Sequence, residues 1–166
     1  MSLAKTFGDA ILTAEQAWRA ADHILLVTFP VVQDPKLLLR VLEHLDKAAR
    51  TTISTVLKLE YLYKRVRLSR KGARNKDLFF QVCRYQYRVS EEDSILLSEV
   101  LDLSKRHRAS GVEFSQRKKV VILDDDLGSM EITAPYLQRT SQAVRRLQLQ
   151  LQGKIREFGE PHTSFS

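Results

Sequence analysis

The chain of 166 residues carries 27 basic and 20 acidic side chains, a net charge of +7, with 43% hydrophobic residues and one cysteine. That length suits one domain with a sizeable core, and the apolar content excludes wholesale disorder. The lone thiol, Cys83, excludes an intramolecular disulfide framework and a cysteine-based zinc cluster, while six glycines and four prolines exclude a collagen-like or low-complexity chain.

The N-terminal run Met1-Ser2-Leu3-Ala4-Lys5 lacks the charged-then-apolar design of an export signal. The longest apolar stretch, Ile24 to Val32, is broken by Pro30 and falls far short of the roughly 20 residues a membrane span needs. The expectation is a cytoplasmic protein without a membrane partner.

The first periodic segment predicts a helix over 13–29. Thr13 and Gln16 have capping-box spacing, and Ala14, Ala17, Trp18, Ala21, Leu25 and Thr28 share one face. Pro30 should end or kink it. Asp34-Pro35 then supplies a cap and a proline at the first helical position of a second helix. Leu38, Leu42, Leu45, Ala49, Thr52, Val56, Leu59 and Tyr63 form a seven-residue seam, and no glycine or proline falls between Lys36 and Lys71. The pattern predicts a helix of roughly 32 residues, about 48 Å long.

A basic connection spans 65–76, after which Asn75 is placed to cap a short helix over 76–87. Ser90 and Asp93 resemble a capping box for a fourth helix to about Arg106, with Leu96, Leu97, Val100, Leu101 and Ser104 inward. The period then shortens. Val120–Leu123 and Met130–Thr133 read as strands around an acidic turn at Asp124-Asp125-Asp126, with Val112–Ser115 able to pair on the other side. A last helix from Thr133 carries Leu137, Thr140, Val144, Leu147, Leu151, Ile155 and Phe158 on one stripe, and the tail from Gly159 should fray.

Charge is uneven along the chain. Residues 1–63 balance at zero, residues 64–119 carry +8, and residues 120–166 carry −1. The basic third holds Arg65, Arg67, Arg70, Lys71 and Arg74, then Arg106 and Arg108, then Lys118 and Lys119, all at predicted helix ends or turns. Such clusters meet the requirement for phosphate binding, and Tyr85 and Tyr87 are candidate base-stacking platforms. Equally, cations near helix C-termini stabilise the macrodipole and solvate turns without any ligand.

Catalytic signatures are weak. Asp124, Asp125, Asp126 and Glu131 lack calcium-loop spacing, and acidic residues are ordinary in turns. His23, His44, His107 and His162 show no HExxH pattern, and Cys83 has no histidine near it in sequence. No glycine-rich phosphate loop or GxSxG is present. No catalytic residue, metal ligand or cofactor is assigned.

In its order of elements, and in Val112-Glu113-Phe114-Ser115 and Val121-Ile122-Leu123-Asp124-Asp125, the chain resembles small prokaryotic helical-bundle proteins, archaeal ones among them, some HEPN-like in shape. Arg19–His23 and Arg40–His44 have three intervening residues where the HEPN motif has four to six, so the resemblance brings a bundle fold and no functional residue.

The reading is a single mainly α domain over 1–166 with its core at 13–158. It is an antiparallel up-and-down bundle of four to five helices with a small β-hairpin before the last. The long seams suggest a homodimer. The leading functional expectation is a non-enzymatic structural or interaction module. The alternative is an RNA- or DNA-binding protein using the basic segment 64–119, and a divalent-metal nuclease around Asp124 and Asp126 comes third.

Overall fold

A computed structural model describes residues 3–109, 113–116, 119–123 and 128–159. Helix α1 (residues 3–32) runs as α-helix over Leu3–His23, loosens to a π turn at Ile24–Thr28, and closes with Phe29–Val32. It begins ten residues before Thr13, because Phe7 extends the buried face of Ala14, Ala17, Ala21 and Leu25 towards the N-terminus. The Thr13 hydroxyl donates to the Asp9 carbonyl at 2.8 Å and caps nothing.

Pro30 does not end the helix. The Phe29 N–H reaches back five residues to the Ile24 carbonyl, a widened turn that accommodates the proline ring one position later. The chain leaves at Gln33, which is left-handed at φ 54° and donates to the Phe29 carbonyl at 2.8 Å.

Helix α2 (Lys36–Leu62) is entered as the sequence implies, with Asp34 Oδ1 accepting the Lys36 N–H at 3.0 Å. Its seam from Leu38 to Leu59 is buried. It has 27 residues rather than 32, because the stop is a Schellman turn built without glycine. Lys64 is left-handed at φ 57°; its N–H donates to the Tyr61 carbonyl and that of Arg65 to the Glu60 carbonyl, both at 2.9 Å. The residues whose apolar side chains usually meet across such a turn are here Glu60 and Arg65, which form an ion pair at 3.0 Å.

Helix α3 (residues 72–86) follows, with a second π turn at Phe79–Cys83. Asn75 lies inside it and clamps the connection. Its amide donates to the Ser69 carbonyl at 2.8 Å and accepts the Ser69 N–H at 2.7 Å. Helix α4 (Glu91–Ala109) starts on the expected cap, the Ser90 hydroxyl accepting the Asp93 N–H at 3.0 Å. The Asp93 carboxylate instead takes two bonds from Arg146, at 2.7 and 2.8 Å.

Strands β1 (Glu113–Gln116), β2 (Lys119–Leu123) and β3 (Ser129–Thr133) form an antiparallel meander in that order. Val120 pairs with Ile132 and Ile122 with Met130, which turns Val120, Ile122 and Ile132 into the core. Helix α5 (Ala134–Gly159) is capped by the Thr133 hydroxyl, which accepts the Tyr136 N–H at 3.3 Å, and buries its stripe from Leu137 to Ile155.

Helices α1, α2, α4 and α5 make the mainly α bundle, α2 touching each of the others, with α3 and the sheet against its sides. Both long seams are buried inside the chain over most of their length, from Leu38 to Leu59 and from Leu137 to Ile155, while Tyr63 at the end of the first is exposed. No described helix is long and apolar enough to cross a membrane. Arg117, Lys118, Asp124, Asp125, Asp126, His162 and the tail from Glu160 lie outside the described residues.

Candidate functional site

The outer face of α2 carries polar residues at steps of four, three, four and four: Glu43, Lys47, Arg50, Ser54 and Lys58. Residues at that spacing lie in a row along a helix, and the row from Glu43 to Lys58 is about 22 Å long. Helix α4 lies on one side of it and brings Lys105 and Arg108. The first turns of α3 bring Lys76, and Ala10 of α1 adds to the lining. The result is two adjoining depressions of about 630 and 660 Å³ that share Asp46, Arg50, Ser54, Lys58 and Arg108, a grooved surface along the row. Ile53, Leu57, Leu68 and Leu101 supply most of the apolar part of its lining, and among the described residues no aromatic side chain contributes to it.

Six cations and three carboxylates line this groove: Lys47, Arg50, Lys58, Lys76, Lys105 and Arg108 against Glu43, Asp46 and Asp102. Lys76 Nζ pairs with Asp102 at 2.9 Å, and His107 of α4 reaches Glu43 at 3.3 Å. Asp46 is buried, and its Oδ2 receives both Arg50 and Arg108, the latter at 3.4 Å. Among the described residues Lys47, Lys58 and Lys105 form no ion pair. The local excess is therefore positive and faces solvent.

Of the cations singled out from the sequence, Arg108 lies in this groove. Arg65 bends away, its guanidinium 4.6 Å from the Phe158 ring centroid while paired to Glu60. Arg67, Arg70, Lys71 and Arg74 are exposed along the connection and the first turn of α3, outside the groove lining. Arg106 is exposed on α4 and does not line the groove either. Lys119 pairs across the sheet with Glu131 at 2.8 Å, and Lys118 falls outside the described residues. Lys47, Arg50 and Lys58 were missed because residues 1–63 sum to zero charge; the polar stripe on α2 was the signal that would have found them.

The tyrosines part company with the stacking expectation. Tyr87 is fully buried and donates to Glu60 Oε1 at 2.8 Å; burial first, and then this bond, push its phenol far above the usual range. It presents no ring to a base. Tyr85 is exposed, but the Arg84 guanidinium lies 4.6 Å from its ring centroid and donates to its hydroxyl at 3.1 Å. Cys83 is buried, and desolvation with Glu60 nearby raises its thiol to about 11, which disfavours the nucleophilic thiolate. Among the described residues no group of three or more histidine, cysteine or acidic side chains is placed to hold a metal ion.

No family model, curated protein or solved structure matches this chain. The groove is therefore read from its own chemistry.

Proposed function

We propose that this chain is a nucleic-acid-binding protein whose groove between α2, α3 and α4 takes a phosphodiester backbone. The observation that carries the reading is the convergence of cations from three elements, distant in sequence, on two adjoining depressions along one helix face. Neutralising phosphates there releases condensed counterions, which favours any polyanionic strand. Among the described residues the lining has no aromatic platform, so the strand is held by its backbone, with little discrimination among bases.

The test is fluorescence anisotropy of a labelled mixed-sequence RNA or DNA across a salt series. Four phosphate contacts predict a log–log slope of about −3, so affinity drops about 60-fold between roughly 50 and 200 mM salt. No binding at the lowest salt refutes the reading.

A second reading, an interaction module that docks a protein or a second copy, is supported by the end of α1. There Leu26, Val27, Val31 and Val32 are exposed by 58%, 54%, 83% and 58%. Apolar side chains clustered in this way mark interaction surfaces when they form one patch. Light scattering at micromolar concentration tests it for self-association: a dimer dispersed by Val31→Glu supports it, and a monomer unchanged by that substitution removes the homodimer.

A further inference from the structure

We propose that Asp46 is a positioning residue that fixes Arg50 and Arg108 as a two-guanidinium clamp for a single backbone phosphate. The inference rests on the groove reading above and names the atom group within it that grips the ligand.

The argument starts from burial. The Asp46 side chain is 2% exposed, yet it lies where the two depressions meet. Such a carboxylate is costly unless charges and hydrogen bonds compensate it. Here one oxygen, Oδ2, serves Arg50 four residues along α2 and Arg108 across the helix interface on α4. The other oxygen, Oδ1, is buried and accepts no hydrogen bond from any described residue. The carboxylate therefore gives up half of its accepting capacity while holding two guanidiniums together.

Those guanidiniums would otherwise repel each other. Arg50 is 56% exposed and Arg108 54%, so the parts not facing Asp46 open to the groove. Each guanidinium has five N–H donors, and the recorded contacts to Asp46 use Nη2 of Arg50 and Nη1 of Arg108. The remaining donors are left for a ligand, and planar guanidinium forks suit the oxygens of a phosphate. One carboxylate against two guanidiniums leaves a unit of positive charge for a phosphodiester, which carries a single negative charge.

Charge alone and positioning predict opposite outcomes for Asp46→Asn. The substitution removes a negative charge from the groove, so a trough acting only through its net charge binds RNA more tightly. A clamp that depends on Asp46 binds less tightly, by about tenfold, the scale of one charge-assisted hydrogen bond. Its salt slope also falls by about one, which a merely structural role would not produce. Arg50→Lys and Arg108→Lys keep the charge and lose the fork, and each should weaken binding several-fold; they serve as the test if Asp46→Asn fails to fold.

The experiment is anisotropy of a labelled mixed-sequence RNA with each variant, alongside circular dichroism melting. Weaker binding and a shallower slope for Asp46→Asn support the clamp. Equal or tighter binding by a folded Asp46→Asn, or Lys variants indistinguishable from wild type, overturns it. The double reversal Lys58→Glu/Lys105→Glu separates the two levels. If it abolishes binding while Asp46→Asn does not weaken it, only the clamp falls. If it leaves binding intact, the groove reading falls and takes the clamp with it.

Discussion

Tyr87→Phe removes one oxygen atom from the junction of α2, α3 and the basic connection. The phenol is fully buried and donates at 2.8 Å to Glu60, itself 1% exposed. Once the donor is gone, Glu60 Oε1 stays buried without a partner, and Arg65 on Oε2 at 3.0 Å cannot replace it. Arg65 is also 36% exposed, so solvent screens its share of the pairing. Losing a buried hydrogen bond to a charged group costs about 1.5–3 kcal/mol. For a chain of this size that corresponds to a midpoint lowered by roughly 4–10 °C. The assay is urea and thermal denaturation followed by circular dichroism. A double-mutant cycle with Glu60→Leu adds a sharper criterion: removing both partners should cost less than the two single changes together, by about 1–2 kcal/mol. A Tyr87→Phe protein within about 0.5 kcal/mol of wild type, the range of an ordinary surface change, would refute the claim that this buried bond stabilises the fold.

Two further outcomes follow from the geometry. Lys64 holds a left-handed conformation that costs a side-chain-bearing residue about 1 kcal/mol, so Lys64→Gly should raise stability by about 0.5–1 kcal/mol in urea denaturation; a loss would count against the Schellman assignment. Burial lowers the pKa of His44, with Arg40 and Lys47 adding to the effect and Glu43 opposing it. A lowered folded-state pKa means that the unfolded chain takes up the proton first as pH falls below about 6.5. The His44 contribution is thus intact at neutral pH and lost on acidification, and His44→Gln should show a smaller stability drop than wild type between about pH 7 and pH 5.

The apolar period located the long helices, while capping chemistry placed the starts of α2 and α4 and misplaced that of α1, where Thr13 lies inside the helix. Asp34 before α2 and Ser90 before α4 each hold the expected backbone N–H, and Thr133, read only as the start of α5, holds one as well. Stops were harder to read. The end of α2 lies in a left-handed lysine and a Glu60–Arg65 pair, neither of which is a stop signal, so the periodic pattern overshot. Pro30 was read as a break or kink, and the π turn before it carries the helix on to Val32.

The site was less legible than the fold. Summing charge over segments drew attention to residues 64–119 and hid Lys47, Arg50 and Lys58, whose charges cancel against acidic residues elsewhere in the first third. The link between Asp46 and Arg108 spans 62 residues and depends on how α4 lies against α2, which no local pattern encodes. Tyr87 illustrates the converse: it lies between Arg84 and Arg88 in sequence, and its partner in space is a buried carboxylate.

The most direct test of the account compares two charge reversals in the same RNA-binding assay, one inside the groove and one in the basic connection. Lys58→Glu/Lys105→Glu changes the groove, and Arg67→Glu/Arg70→Glu changes the exposed cluster between α2 and α3. At about 150 mM salt, where charges more than about 8 Å apart are largely screened, the groove pair should lower affinity at least tenfold and the connection pair less than about threefold. The reverse order would move the binding surface to the connection and contradict the assignment of the groove.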